Sequence, residues 1–378
     1  MLLCFTHSTQ AVTEAEVDQF KLDNRHGDVV ITRRDYEKSF NQVMKEAQSG
    51  DRLSQYVLAE YYEFGLTGKI DLVKSLEWYM KSANQGYTRS QKKVALFYIN
   101  GKGGIDKSER DARIWLEKAV AQNDTDAQFE LGISLCYSKT LPLDCIRGIE
   151  LLKAAGLSKD EISYRALYVL GDIYYFGINV PKNNVEAVKW FKLSADHNNA
   201  DALFMLAKIY EFGGDGIQPD SKKSIENYTA ASRKGHTESQ YYLGYYYLAQ
   251  NNYESALKWF SRAAESNNRE ALFALGIMHE KGLGVEKDSH KAFEYYLSAA
   301  QLKNPSAQIA VAIMYENGWG PSKDLIEAFA WYSCSNTLQS NEQVQQQLYA
   351  INSTLTESTR SKAMDRAKDY SRKFGTQK

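Results

Sequence analysis

Two of the four cysteines stand nine positions apart in CYSKTLPLDC, residues 136–145. Thiols this close suit three chemistries: a metal site, a redox pair or a covalent staple. A tetrahedral zinc site needs four ligands, and neither a histidine nor a second cysteine pair lies nearby in the sequence. The spacing is not the Cys-x-x-Cys of disulfide oxidoreductases either. A structural disulfide in an oxidising compartment and two reduced, partly buried thiols both remain open. The six histidines (His7, His26, His197, His236, His279 and His290) make no i, i+4 pair of the metalloprotease kind. GKGG at 101–104 has the glycine content of a phosphate loop without its Gly-Lys-Ser/Thr order, and Gly132-Ile133-Ser134 lacks the closing glycine of a nucleophile elbow. No catalytic set, metal site or cofactor motif emerges. The expectation is a non-enzymatic protein without a cofactor.

What positions these residues is a repeat. The segments SQYVLAEYY (54–62), SQKKVALFY (90–98), AQFELGISL (127–135), ALYVLGDIY (166–174), ALFMLAKIY (202–210), SQYYLGYYY (239–247), ALFALGIMH (271–279) and AQIAVAIMY (307–315) align in phase. A second block follows each at a nearly constant offset, as in LEWYMKSA, VKWFKLSA and FEYYLSAA. Each unit therefore reads as two amphipathic helices, a first and a second. On the first helix the small residue at position one, the Leu or Val at five, the Gly or Ala at six and the Tyr at nine share one face. The small sixth residue lets the second helix approach, and Trp78, Trp115, Trp190, Tyr228, Trp259, Tyr295 and Trp331 read as its large knob. Gly-rich loops such as EKGLGVEKD end the first helix, and an Asp or Asn caps the second.

These residues resemble the Sel-one-like repeat family, relatives of the tetratricopeptide repeat. The copy ALGIMHEKGLGVEKDSHKAFEYYLSAA (274–300) carries nearly the whole family pattern. The resemblance implies an all-α fold, an α/α solenoid with a right-handed superhelix of about eight helix pairs over residues 50–336. RDYEKSFNQVMKEAQS (34–49) reads as an N-terminal capping helix and 337–378 as C-terminal capping helices, which cover the otherwise bare ends of the stack. Residues 1–33 form an N-terminal segment. Aligned on its neighbours, CYSKTLPLDC replaces the Gly-rich loop of the third repeat, between two antiparallel helices whose ends can come within disulfide reach. Secreted members of the family often carry a disulfide within a repeat, usually at other positions.

A solenoid of this kind offers an extended face lined by successive first helices. Positions three, seven, ten and eleven point away from the second helix. The aromatic density on that face peaks in repeats four to six. The protein-binding candidates there are Tyr168, Asp172, Tyr175, Phe176, Lys208, Glu211, Phe212, Tyr241 and Tyr245. Third-position aromatics such as Phe204 and Phe273 are as well explained by packing between neighbours. Positions seven and ten, which hold Asp172, Tyr175, Glu211 and Tyr245, are less stereotyped.

Composition narrows the partners. Lys and Arg total 46 against 47 Asp and Glu, with no run of five like charges, so there is no polybasic footprint for nucleic acid or an anionic membrane. No stretch of 18 apolar residues predicts a membrane span. The 26 tyrosines, 15 phenylalanines and 6 tryptophans suit packing and protein recognition. Met1–Ala11 reads like the trailing part of a secretory signal, and with the cysteine pair it tilts the expectation toward an exported, periplasmic protein; a cytoplasmic one is the alternative. By the resemblance, exported members include immunity proteins that neutralise phospholipase effectors of type VI secretion systems. The expectation is a protein of that kind, monomeric when free, binding a phospholipase toxin. Its rivals are an exported solenoid that binds a host protein and a cytoplasmic scaffold for a signalling or envelope complex.

Overall fold

A computed structural model describes residues 40–66, 68–158, 161–338 and 342–375. The signal-like start and residues 34–39 of the expected N-terminal cap lie outside them. The described residues form nineteen α-helices and no strand. The chain divides into two compact units, Met1–Ser194 and Ala195–Lys378. The first contains α1 (Phe40–Gln48), α2 (Arg52–Glu63), α3 (Leu72–Asn84), α4 (Thr88–Asn100), α5 (Glu109–Val120), α6 (Thr125–Tyr137), α7 (Cys145–Gly156), α8 (Glu161–Phe176) and α9 (Asn184–Asp196), whose end passes the boundary. The second contains α10 (Ala200–Phe212), α11 (Ser221–Arg233), α12 (Thr237–Ala249), α13 (Tyr253–Glu265), α14 (Arg269–Lys281), α15 (Ser289–Gln301), α16 (Pro305–Asn317), α17 (Leu325–Leu338), α18 (Glu342–Thr354) and α19 (Glu357–Phe374). The fold is an all-α repeat solenoid.

One joint recurs in every repeat. The Asp, Asn or Ser before the second helix donates its backbone N–H to the carbonyl of the ninth residue of the first helix, as Asp71 does to Tyr62, Asp144 to Leu135 and Asp288 to His279. Its side-chain oxygen then accepts from the third helical N–H, as Asp71 does from Lys74 and Asp288 from Lys291. The carboxylate thus satisfies one of the helix-end donors that would otherwise lack a partner. In the second repeat, GKGG forms this joint's loop. Gly103 has φ +70°, and a side chain there would stand 2.8 Å from the Leu72 carbonyl oxygen, so the glycine serves a close backbone approach.

Packing corrects the register expected of the knob. The residue seated against the first helix is Tyr79, Leu116, Leu152, Phe191, Tyr228, Phe260, Tyr296 or Tyr332, every one buried. In most repeats this is one position after the expected Trp or Tyr. At 100° per residue, Trp78, Trp190 and Trp259 turn toward the flank of the second helix, half-buried. There they carry cations: Lys81 sits 3.7 Å from the Trp78 ring and Arg262 5.0 Å from that of Trp259. The sixth-position glycines explain the close seat, because a Cβ on Gly171, Gly244 or Gly276 would lie 2.4 to 2.5 Å from the ring of Phe191, Phe260 or Tyr296. At the C-terminal end, α19 packs on α17, where Trp331 stacks on Phe374 and Arg366 pairs with Glu327.

Candidate functional site

In the first unit a cavity of about 300 Å³ opens on the face made by α2, α4, α6 and α8, the first helices of four successive repeats. Its cations are Arg89, Lys92, Lys93 and Arg165, and its carboxylates Asp126 and Glu130. Tyr56, Leu96, Leu116, Phe129 and Ile162 supply the apolar lining. Lys92 is held by Asp124 at 3.1 Å and Asp126 at 2.5 Å. Burial acts to lower its pKa, but the two carboxylates outweigh burial and hold the ammonium above its ordinary range. Lys93 pairs with Glu63 at 2.9 Å, and Glu63 also accepts from the hydroxyl of Tyr79 at 2.6 Å. Arg165 lies exposed with its guanidinium 4.7 Å from the Phe129 ring centroid. Burial pushes the carboxyl of Glu130 up, with Arg165 opposing and Asp126 reinforcing.

The residues expected from the sequence fall into two sets. In the first unit, Tyr168 packs on Phe191 with ring centroids 5.6 Å apart, and Tyr175 meets Phe176 edge to face at 4.8 Å. Phe176 is 60% exposed, and Asp172 is half-buried and near enough to Tyr137 to act on its charge. Burial, helped by that carboxylate, pushes the Tyr137 hydroxyl up to about 12. In the second unit, Phe212 and Tyr245 are exposed, and Lys208 reaches over Phe204 at 5.7 Å. Glu211 accepts from the Tyr228 hydroxyl at 2.7 Å. Tyr241 rests on Phe260 at 5.9 Å. The third-position rings Tyr168, Phe204, Tyr241 and Phe273 thus all lie against the knob of their own repeat.

Two features escaped the positional reading. Glu63, Glu211, Glu280 and Glu316, all at position ten, accept hydrogen bonds from the knob hydroxyls of Tyr79, Tyr228, Tyr296 and Tyr332. Of the cavity's charges only Lys92 falls on the expected stripe, at position three; the others sit at position four, as Lys93 and Glu130 do, or just before position one, as Arg89, Asp126 and Arg165 do. Extending the stripe by one helical turn toward the N-terminus reaches them, since residues three or four apart share a face.

Cys136 and Cys145 are joined in a disulfide, with the Cα atoms 4.3 Å apart. Both are buried. The loop between them is also tied down by the preceding repeat. Glu109 accepts from the hydroxyls of Ser138 and Thr140, and Arg113 donates to the carbonyl oxygens of Ser134 and Pro142. Among the described residues no group of three or more His, Cys, Asp or Glu is placed to hold a metal ion, and no helix is long and apolar enough to cross a membrane.

A helix-pair repeat with a charged face on its first helices is a protein-interaction solenoid by class. The Sel1 repeat model matches residues 52–87, 88–124, 125–160, 165–199, 200–236, 237–268, 269–304 and 305–338, and the chain belongs to that family. It is 28% identical over 273 residues to the chitin synthase regulator SKT5 of Saccharomyces cerevisiae, covering 67% of this chain and 39% of that protein. It is 29% identical over 252 residues to chitin synthase regulatory factor 3 of Schizosaccharomyces pombe, covering 63% of this chain and 26% of the relative. The chain therefore spans well under half the length of these relatives. Among solved structures, a Sel1 repeat protein from Oxalobacter formigenes shares the fold with a TM-score of 0.71 at 22% identity, over 82% of this chain and 90% of that one.

Proposed function

We propose that the chain is a non-catalytic adaptor that controls a partner protein by holding it on the face of its first helices. The observation that carries this reading is the cavity in the first unit, where charged and apolar side chains from four successive repeats converge. Such convergence of polar groups on an apolar floor is what fixes a bound chain in one orientation. The regulatory role draws on the names of the two fungal relatives, and it puts the partner among enzymes or scaffolds that build a cell envelope.

The disulfide favours a second reading. A buried cross-link suits an oxidising compartment. There the adaptor would act as an immunity protein, covering a phospholipase delivered by type VI secretion. One experiment addresses both: affinity capture from native extract with chemical cross-linking, beside the Tyr175→Ala/Tyr245→Ala variant. An inhibited phospholipase among the captured proteins supports immunity, whereas an envelope synthase or its scaffold supports regulation. Absence of any cross-linked partner, or cross-links only to surfaces away from the first helices, overturns the adaptor reading.

A further inference from the structure

We propose that the cavity between α2, α4, α6 and α8 seats a segment of the partner that presents one carboxylate flanked by apolar side chains, with the carboxylate on Arg165. This rests on the adaptor reading and adds the chemistry of the ligand. The cavity's cations are not equivalent. Lys92 and Lys93 are neutralised by Asp124, Asp126 and Glu63. Arg165 has no carboxylate within ion-pair distance among the described residues; its guanidinium lies over Phe129 instead. An exposed guanidinium keeps its planar fork of donors, which can take a carboxylate in two parallel hydrogen bonds.

Other residues limit what can enter. Asp126 and Glu130 line the same cavity, and their charges oppose a dense run of acidic residues. Glu130 is near enough to Arg165 to feel its charge without pairing with it, so the site can add one carboxylate on Arg165 but not a polyanion. The apolar contacts are half-open: Leu96 is 40% exposed and Ile162 half-buried, so both offer surface to an aliphatic or aromatic neighbour of that carboxylate. The occupant is therefore a peptide of mixed character, in keeping with a chain that lacks a polybasic footprint.

The test uses the whole chain and fluorescent twelve-residue peptides in a Gly/Ser background, carrying Phe-Glu-Leu, Phe-Gln-Leu or a run of glutamates. Anisotropy titrations are expected to show the Glu peptide binding at least about tenfold more tightly than the Gln peptide, the size of a charge-assisted hydrogen bond. In Arg165→Ala that preference disappears while circular dichroism is unchanged. Arg165→Glu is expected to prefer a Phe-Lys-Leu peptide. Equal binding of the Glu and Gln peptides, a preference that survives Arg165→Ala, tighter binding of the glutamate run, or no binding by any peptide overturns the proposal. The adaptor reading fails separately. If wild type and Arg165→Ala capture the same cross-linked partner equally, the carboxylate seat is wrong and the adaptor stands; if wild type captures none, the adaptor falls.

Discussion

Gly171→Ala tests the packing that shapes the face. An added Cβ would stand 2.4, 2.5 and 2.8 Å from three ring carbons of Phe191. The ring cannot withdraw easily, because it is fully buried with Tyr168 against it. Overpacking a core in this way costs about 1–3 kcal/mol. Alanine returns about 1 kcal/mol of helix propensity lost at glycine. The expected net loss is about 0–2 kcal/mol, a balance of those two effects. The first repeat supplies an inverse control. Its sixth position holds Ala59, fully buried in the cluster that contains Tyr79, and there Ala59→Gly is expected to destabilise by about 1–2 kcal/mol through lost helix propensity and the loss of a buried methyl. Substitutions in opposite directions at one repeat position should therefore both lower the urea midpoint, followed by far-UV circular dichroism. Adding Phe191→Leu to Gly171→Ala should give a loss smaller than the sum of the single changes by about 1 kcal/mol, as neighbours that share a clash do. If Gly171→Ala raises the midpoint with an unchanged slope, the ring does not occupy the space described and the argument fails.

Deleting the cross-link with Cys136→Ala/Cys145→Ala is expected to cost about 2–3 kcal/mol, the chain-entropy value for so short a ring. Reductant should lower the wild-type urea midpoint and leave the variant unmoved; equal midpoints with and without it would refute the cross-link's contribution. Tyr296→Phe removes the hydroxyl that donates to Glu280 and should cost about 1 kcal/mol in the same assay, while an unchanged midpoint would strip the recurring Tyr–Glu bond of any role in stability. Burial, joined by the bond to Glu327, pushes Tyr370 up to about 12. Because the folded value is raised, this stabilisation is complete below the unfolded tyrosine value of about 10 and is lost as pH rises from there through 12. Tyr370→Phe should flatten the fall in stability over that window; a slope identical to wild type would contradict it.

Period and spacing revealed the helix pairs, because each small first residue and each fifth Leu or Val must be buried in every copy. Residues such as Ala166, Leu170 and Leu243 are indeed wholly enclosed. The same period misled at the knob. In the Trp-Phe pair of VKWFKLSA, size points to Trp190, yet the helical angle seats Phe191 and leaves Trp190 to shelter under Lys153 and Lys189. Large aromatics on the flank of a helix can be protected by cation stems as well as by a core. The cavity was invisible for another reason: most of its charges lie at position four or just before position one, which the repeat pattern does not fix.

That position, one residue before the first buried small residue, is where the repeats differ most in charge. In the first unit it holds Leu53, Arg89, Asp126 and Arg165, and in the second Asp201, Glu238, Glu270 and Ser306. The caps and the knob fix the backbone on either side of it, so its side chain can change without cost to either. Where it is acidic, neighbouring groups already answer it: His236 lies 3.4 Å from Asp201 and 3.8 Å from Glu238, and Arg269 pairs with Glu270. Arg165 is different, with a ring behind it and no carboxylate within ion-pair distance among the described residues. Leu53 packs on the core and Arg89 is buried, but where the position is exposed, as at Arg165 and Ser306, its variation lets one repeat scaffold recognise different partners. On this reasoning, an arginine placed at Ser306 in the eighth repeat should leave stability unchanged, since surface changes away from such packing features usually fall within about 0.5 kcal/mol. A midpoint shift well beyond that would show the position to be under structural constraint after all.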